Sequence, residues 1–281
     1  MTAPSPSFAR PDPMPPTAPS PPERSVALVT GASSGIGLEI ARLHAARGGD
    51  LVLVARRGDR LRTLAHELSA AHGTDALVVE ADLGSADGVA ALKAATGDRR
   101  IDALVNNAGF GGRGAFHEHD LDRMLAMVDL NVRALTELSH RYARPMVERG
   151  AGRILNVGST AGFLPGPLQA VYYAGKAYVN SLSQAMAEEL RGTGVTVTLL
   201  APGPVATEFF DVAGMARTSF RAKAPPAAKV ARIGYEAMLE GRLVVVDDRR
   251  IAALTRIVGL LPRRLLLTAS RKSMESNAKD D

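Results

Sequence analysis

The chain has no cysteine among its 281 residues. Disulfides, a thiolate nucleophile and a cysteine-based zinc site are therefore excluded, and the absence fits a reducing, cytoplasmic setting. No apolar run reaches the roughly eighteen residues that a membrane-spanning helix needs. An excess of either charge is also missing from most of the chain. The net charge is +5, while residues 249–281 alone carry eight basic and three acidic side chains, so residues 1–248 are neutral overall. A basic core for nucleic acid is not indicated. Residues 1–23 hold nine of the seventeen prolines and almost no bulky apolar side chains. Such a stretch cannot build a core and is expected to be disordered or polyproline-like. It also lacks the apolar segment of a secretory signal. Histidines are few. His117 and His119 flank Glu118 in a polar loop, with Asp120 as a helix cap, and no metal site is expected there. His44, His66, His72 and His140 fall on or beside helix-patterned stretches and read as surface or boundary residues.

What is present is an alternation. Short apolar runs at Ser25–Thr30, Leu51–Ala55, Ala76–Glu80, Ala103–Asn106, Arg153–Val157, Val195–Leu200 and Leu243–Val246 read as strands. Between them lie helix-patterned stretches, the longest at Leu121–Arg149 and Gln169–Arg191. Strands this apolar, separated by helices, imply a parallel sheet covered on both faces. The expected fold class is therefore α/β: a Rossmann-like, doubly wound parallel sheet of six to seven strands in three α/β/α layers. The expected organisation is a proline-rich tail (1–23), one α/β domain (24–248) and a basic extension (249–281).

Two motifs stand at the ends of these strands. Thr30-Gly31-Ala32-Ser33-Ser34-Gly35-Ile36-Gly37 follows the first strand and opens a helix. Glycines there let the backbone approach a pyrophosphate, and the helix N-terminus supplies free N–H groups. Further on, Tyr172 and Lys176 are four residues apart, with Ser159 thirteen residues upstream of Tyr172. On a helix, positions i and i+4 share a face. An ammonium beside a phenol favours the phenolate, so Lys176 is expected to lower the Tyr172 pKa. A phenol so tuned exchanges a proton with a carbonyl or alcohol oxygen, and a serine hydroxyl can bond the same oxygen. Tyr173 is excluded from that role, because its i+4 neighbour is Ala177 and one helical step turns it away.

With Asn106-Asn107-Ala108-Gly109, Asn131 and Pro202-Gly203 added, the chain resembles a short-chain dehydrogenase/reductase of the single-domain type, over about residues 24–240. The resemblance implies an NAD(P)-dependent enzyme acting on CH–OH and C=O groups. It implies Tyr172 as general acid, Lys176 as tuner of the phenol and holder of the nicotinamide ribose, Ser159 on the substrate carbonyl, and Asn131 holding a water that links Lys176 to solvent. Gly31, Ser33, Ser34, Gly35, Ile36 and Gly37 would cradle the pyrophosphate. Asp82 and Leu83 would meet the adenine, and Asn107, Ala108 and Gly109 the adenosine side. Asn107 could equally brace the central strand. Pro202, Gly203, Val205 and Thr207 would sit at the carboxamide. The family commonly pairs through its two long helices, which implies a homodimer or homotetramer. Because Asn is a poor helix former, a local kink is expected at Asn131.

The second strand ends Val54-Ala55-Arg56-Arg57, without the carboxylate that bonds a ribose 2′-OH. An arginine forks onto a 2′-phosphate instead, so NADP(H) is expected over NAD(H), held chiefly by Arg56 with Arg57 and Ser33 nearby. Phe110, Phe163, Leu164, Pro165, Pro167, Phe209, Phe210, Val212 and Met215 would give the substrate an apolar lining, and residues 205–224 would close over the cofactor. The small-molecule partner is thus a hydrophobic ketone or aldehyde and its alcohol. Two other readings stay open: a non-catalytic NADP-binding regulator, and a membrane-peripheral lipid or 3-oxoacyl reductase. Residues 249–272 mix leucines with arginines. They suit either a flap docked on protein or a segment on an anionic membrane surface, and docking on protein is the reading preferred.

Overall fold

The computed structural model describes residues 24–215, 224–257 and 262–276. The proline-rich tail, the middle of the expected closing segment (216–223) and residues 258–261 lie outside the described residues. Seven strands form one parallel sheet: β1 (Val26–Thr30), β2 (Asp50–Ala55), β3 (Ala76–Glu80), β4 (Ala103–Asn106), β5 (Gly152–Val157), β6 (Val195–Leu200) and β7 (Val244–Val245). Their order is β3-β2-β1-β4-β5-β6-β7. The order reverses between β1 and β4, and a crevice opens there at the carboxyl ends of the strands.

The inner strands are buried on both faces because each presents alternate residues to a different helical layer. Ala27, Val29, Leu51, Leu53 and Leu155 pack under α1 (Gly35–Ala46) and α2 (Gly58–His72), with Ile40, Leu61 and Leu64. Leu28, Val52, Leu104 and Ile154 pack under α3 (Ala86–Thr96) and α5 (Leu135–Glu148), with Leu92, Leu138 and Met146. The stretch expected as one helix from Leu121 is broken. It runs as α4 (Leu121–Val128), a π-helical segment (Asp129–Ala134) that contains Asn131, and α5. The expected kink is therefore a single wide turn. α6 (Ala170–Glu189) follows β5 and carries Tyr172 and Lys176.

A helix that the strand–helix alternation had not included, α8 (Ala227–Leu239), follows the short α7 (Phe209–Val212) and covers α1. It starts after Pro225-Pro226, which bars a helix upstream, and buries Val230, Ala231, Gly234, Tyr235 and Met238 along one stripe. Its presence corrects the reading of His44. That residue is 5% exposed and wholly interior. Its Nδ1 lies 2.9 Å from the Tyr235 hydroxyl and its Nε2 3.0 Å from the Ser25 carbonyl, and burial holds its pKa below the ordinary value. The neutral ring donates to Ser25 and accepts from Tyr235, and glycine at position 49 leaves room for it.

The basic extension forms α9 (Arg249–Ile257) and α10 (Arg263–Ser276). α9 rests on the 3₁₀ turn Thr160–Phe163 and places Ile251 against Gly203. α10 buries Leu266 and Met274, and the Met274 carbonyl accepts from Arg113 at 3.2 Å. Both helices thus lie against the domain beside the crevice, while Leu254, Leu265 and Leu267 face outward. No helix among the described residues is long and apolar enough to cross a membrane.

Candidate active site

The crevice is built at its first end by the glycine turn. Gly31 (φ 67°) and Gly35 (φ 59°) take left-handed conformations that other residues resist. A Cβ on Gly37 would fall 2.4 Å from the Asn107 amide nitrogen and 2.6 Å from the Gly31 carbonyl. Asn107 is the plug of this turn. Its Nδ2 donates to the Thr30 carbonyl at 2.9 Å and to that of Gly31 at 3.3 Å. The Thr30 hydroxyl accepts from the backbone N–H groups of Asn107 and Ala108 at 2.9 and 3.0 Å, tying β1 to β4 across the switch point. The bracing role foreseen for Asn107 is the one this geometry displays. Ser34, which precedes α1, makes no side-chain cap, so the first N–H groups of the helix remain directed into the crevice. A backbone cradle that any side chain would fill, at a helix N-terminus without acidic residues, fits a pyrophosphate.

At the end of β2 the two arginines differ. Arg57 turns inward: its Nε and Nη2 donate to the Ser33 hydroxyl at 3.2 and 3.0 Å, and Nη2 also reaches Ser34 at 3.0 Å. Arg56, expected as the chief contact, is exposed, whereas Arg57 is half-buried. The structure therefore gives the inward position to Arg57, because successive residues of an extended chain point to opposite faces. Asp82 is exposed and accepts from the Gly84 N–H at 3.0 Å, and Leu83 is buried beneath it. Gly109 leaves the gap between β4 and α6: a Cβ there would stand 2.9 Å from the Asn131 amide oxygen and 3.8 Å from Lys176 Nζ.

The second end holds the titratable groups. Ser159 caps the turn after β5, accepting from Ala161 N–H at 3.1 Å and donating to the Pro202 carbonyl at 3.4 Å. Lys176 is 6% exposed and donates to the Val157 carbonyl at 2.7 Å, with Nζ 6.0 Å from the centre of the Tyr172 ring. Asn131 closes a two-way pairing with Phe110, donating to its carbonyl at 2.9 Å and accepting from its N–H at 3.1 Å. That pairing occupies the Asn131 amide, and the wide turn around it sets the residue beside Lys176.

The electrostatics correct one expectation. Lys176 was expected to lower the Tyr172 pKa. Desolvation instead pushes the phenol up to about 12, and the nearby Ser159 hydroxyl pulls the other way without overcoming it. Burial also pushes the Lys176 ammonium down to about 8. Desolvation wins because the ammonium is committed to Val157 and stands over the ring rather than at the phenol oxygen. A phenol at about 12 keeps its proton throughout the neutral range. Tyr173 packs on Gly166, away from Ser159.

One functional residue was not singled out in the sequence. Asn180 accepts from the Ser159 N–H at 3.4 Å and donates to its carbonyl at 3.0 Å, fixing the serine from α6. It lies one turn beyond Lys176, so Tyr172, Lys176 and Asn180 form a single i, i+4, i+8 stripe that the helical period would have marked. On the substrate side, Phe209 lies over Tyr172 with ring centres 5.3 Å apart. Phe210 and Met215 pack in a cluster of their own, and Val212 is exposed. The Gly203 N–H donates to Asp247 at 2.9 Å.

A doubly wound sheet with a glycine cradle at its switch point, and Ser159, Tyr172 and Lys176 gathered at the other end of the crevice, defines a nicotinamide-dependent oxidoreductase. Comparison with known proteins agrees. The sequence profile described as short chain dehydrogenase matches residues 25–216, and the chain belongs to that family. It acts on alcohol or carbonyl groups, as members of the family do. A sulfoacetaldehyde reductase of Chromohalobacter salexigens is 40% identical over 186 residues, which cover 65% of this chain and 73% of the relative. A short-chain dehydrogenase from Sphingobium yanoikuyae, solved in complex with NADPH, superposes with a TM-score of 0.77 at 32% identity, covering 90% of this chain and 96% of that one. A short-chain dehydrogenase/reductase from Burkholderia phymatum in complex with NAD superposes with a TM-score of 0.76 at 28% identity, covering 85% and 95%.

Proposed function

We propose that the protein is an NADP(H)-dependent reductase of hydrophobic ketones or aldehydes, with Tyr172 as the proton donor. The observation that carries this reading is the placement of Tyr172, its ring 6.0 Å from the Lys176 ammonium and 5.3 Å from the Phe209 ring, where desolvation favours the protonated phenol. A neutral phenol is the form required of a general acid. When bound, the dinucleotide supplies the hydride. Ser159, anchored by Asn180, would orient the substrate oxygen toward the phenol, and Tyr172 would release its proton as charge develops on that oxygen. Lys176, desolvated and cationic below about pH 8, would stabilise the phenolate that remains. The preference for NADP(H) is supported by Arg57 facing Ser33 and Ser34, and by the lack of a carboxylate at the end of β2.

The substrate class is supported by Phe209 over Tyr172, and by Gly111, where an added Cβ would stand 2.7 Å from the Phe209 ring and 3.4 Å from that of Tyr172. We also infer a homodimer that covers Tyr178 on α6 together with Val132 and Thr136, which line one groove. A single mass on light scattering equal to one chain would exclude it. The functional reading is tested by following NADPH and NADH consumption against a panel of aliphatic and aromatic carbonyl compounds. Turnover of bulky apolar ketones with NADPH is expected. Turnover confined to small charged aldehydes, or equal rates with NADH, would contradict the substrate or the cofactor reading respectively.

A further inference from the structure

Glu208 belongs to neither end of the crevice as described so far, yet it lies between them. It precedes α7, and its carboxylate is reached from two sides: Arg57 Nη1 donates to Oε2 at 2.7 Å and Arg60 Nη1 donates to Oε1 at 2.6 Å. The same Arg57 guanidinium grips Ser33 and Ser34. Two guanidinium groups thus converge on one anion, delivered from 151 residues along the chain, and serine hydroxyls hold one of the two from behind. Such a fork suits a phosphate better than a carboxylate, because a phosphomonoester carries about −1.5 to −2 charge and three acceptor oxygens.

The residues on either side make the arrangement consequential. A Cβ on Gly35 would stand 3.0 Å from the Thr207 methyl, so Thr207 is pressed on the glycine turn. Phe209 lies 5.3 Å from the Tyr172 ring. Three consecutive side chains therefore touch the pyrophosphate cradle, the arginine fork and the catalytic phenol. We propose that Glu208 is an internal competitor for the Arg57–Arg60 fork, displaced by the 2′-phosphate of NADP(H), and that its release swings Phe209 away from Tyr172. Resting as it does on the NADP(H) reading, the proposal adds a second level of discrimination. NAD(H) carries a hydroxyl in place of that phosphate and leaves Glu208 in the fork, with Phe209 still over the phenol.

The test uses nucleotide fragments, which report binding without turnover: 2′,5′-ADP, which carries the 2′-phosphate, and 5′-AMP, which does not. Calorimetry on the full chain compares wild type with Glu208→Gln and Arg57→Ala. Glu208→Gln is expected to tighten 2′,5′-ADP about three- to tenfold, in keeping with the modest strength of exposed ion pairs, and to leave 5′-AMP unchanged. Unaltered or weakened 2′,5′-ADP binding in Glu208→Gln, with Arg57→Ala losing it, would overturn the competitor while leaving the NADP(H) reading intact. Equal affinity of 2′,5′-ADP and 5′-AMP for wild type and Arg57→Ala would overturn both. The chain contains no tryptophan, so Phe209→Trp is a unique optical reporter of the lever. Its emission is expected to shift on adding 2′,5′-ADP and to stay constant with 5′-AMP. A constant signal with both, while 2′,5′-ADP binds, would overturn the coupling to Phe209.

Discussion

The two ends of the crevice use cations in opposite ways. At the β2 end, Arg57 and Arg60 are substantially exposed and held by fixed forks to Glu208 and serines. Their contribution is geometric, since exposed ion pairs contribute little and weaken with salt. At the β5–α6 end, Lys176 is buried and Tyr172 half-buried, and desolvation outweighs the neighbours in setting the direction of both titrations. In the proposed mechanism, recognition falls where an anion can enter and leave, and proton transfer where the groups are largely shielded from water. Coulombic interactions are stronger in the second place, and errors of charge more costly.

The largest expected effect breaks the buried end. Lys176→Met should lower turnover by about 10²–10⁴-fold, the usual range for losing acid–base assistance. The same variant should gain stability. The Lys176 pKa in the fold, about 8, lies below its unfolded value of 10.5, so the unfolded chain binds more protons between these limits. Stability of the wild type therefore rises as pH increases from about 8 to 10.5, and the penalty removed by methionine at neutral pH is about 3 kcal/mol. Thermal melts of both proteins across that range read it directly, and parallel curves would contradict the burial argument.

At the exposed end, Arg57→Ala should weaken NADP(H) about ten- to a hundredfold, leave NAD(H) within about twofold, and flatten the salt dependence of binding. A parallel loss for both cofactors, measured by fluorescence titration, would show that Arg57 supports the fold rather than the phosphate. Asn180→Ala sharpens the contrast from within the buried end. It removes the anchor of Ser159 without touching the reacting groups, so kcat should fall about tenfold while the cofactor Kd stays constant. A changed Kd with unchanged kcat would remove Asn180 from the positioning role.

These differences mark what the sequence could and could not show. The strands were legible because they are short apolar runs, the inner ones buried on both faces, and Tyr172 with Lys176 because the helical period pairs them. The break at Asn131 was legible from a poor helix former whose polar amide must find a partner, although its π-helical form depends on the pairing with Phe110. The choice between Arg56 and Arg57 was not legible, since it turns on which face of a strand end meets Ser33. His44 was misread because Tyr235, its partner, comes 191 residues later on α8. The direction of the Tyr172 shift was misread for a related reason. Spacing shows which charge is near, whereas burial depends on the whole packed layer above it. Glu208 carried no signal at all, because its meaning arises only when the segment after β6 folds back onto β2.

The most direct test of the central claim is to remove one oxygen atom. Tyr172→Phe, titrated with NADPH and assayed on a ketone that the wild type reduces, should bind the cofactor within about twofold of wild type and lose at least about a hundredfold in kcat. Retention of near wild-type turnover by that variant would contradict the assignment of Tyr172 as the proton donor.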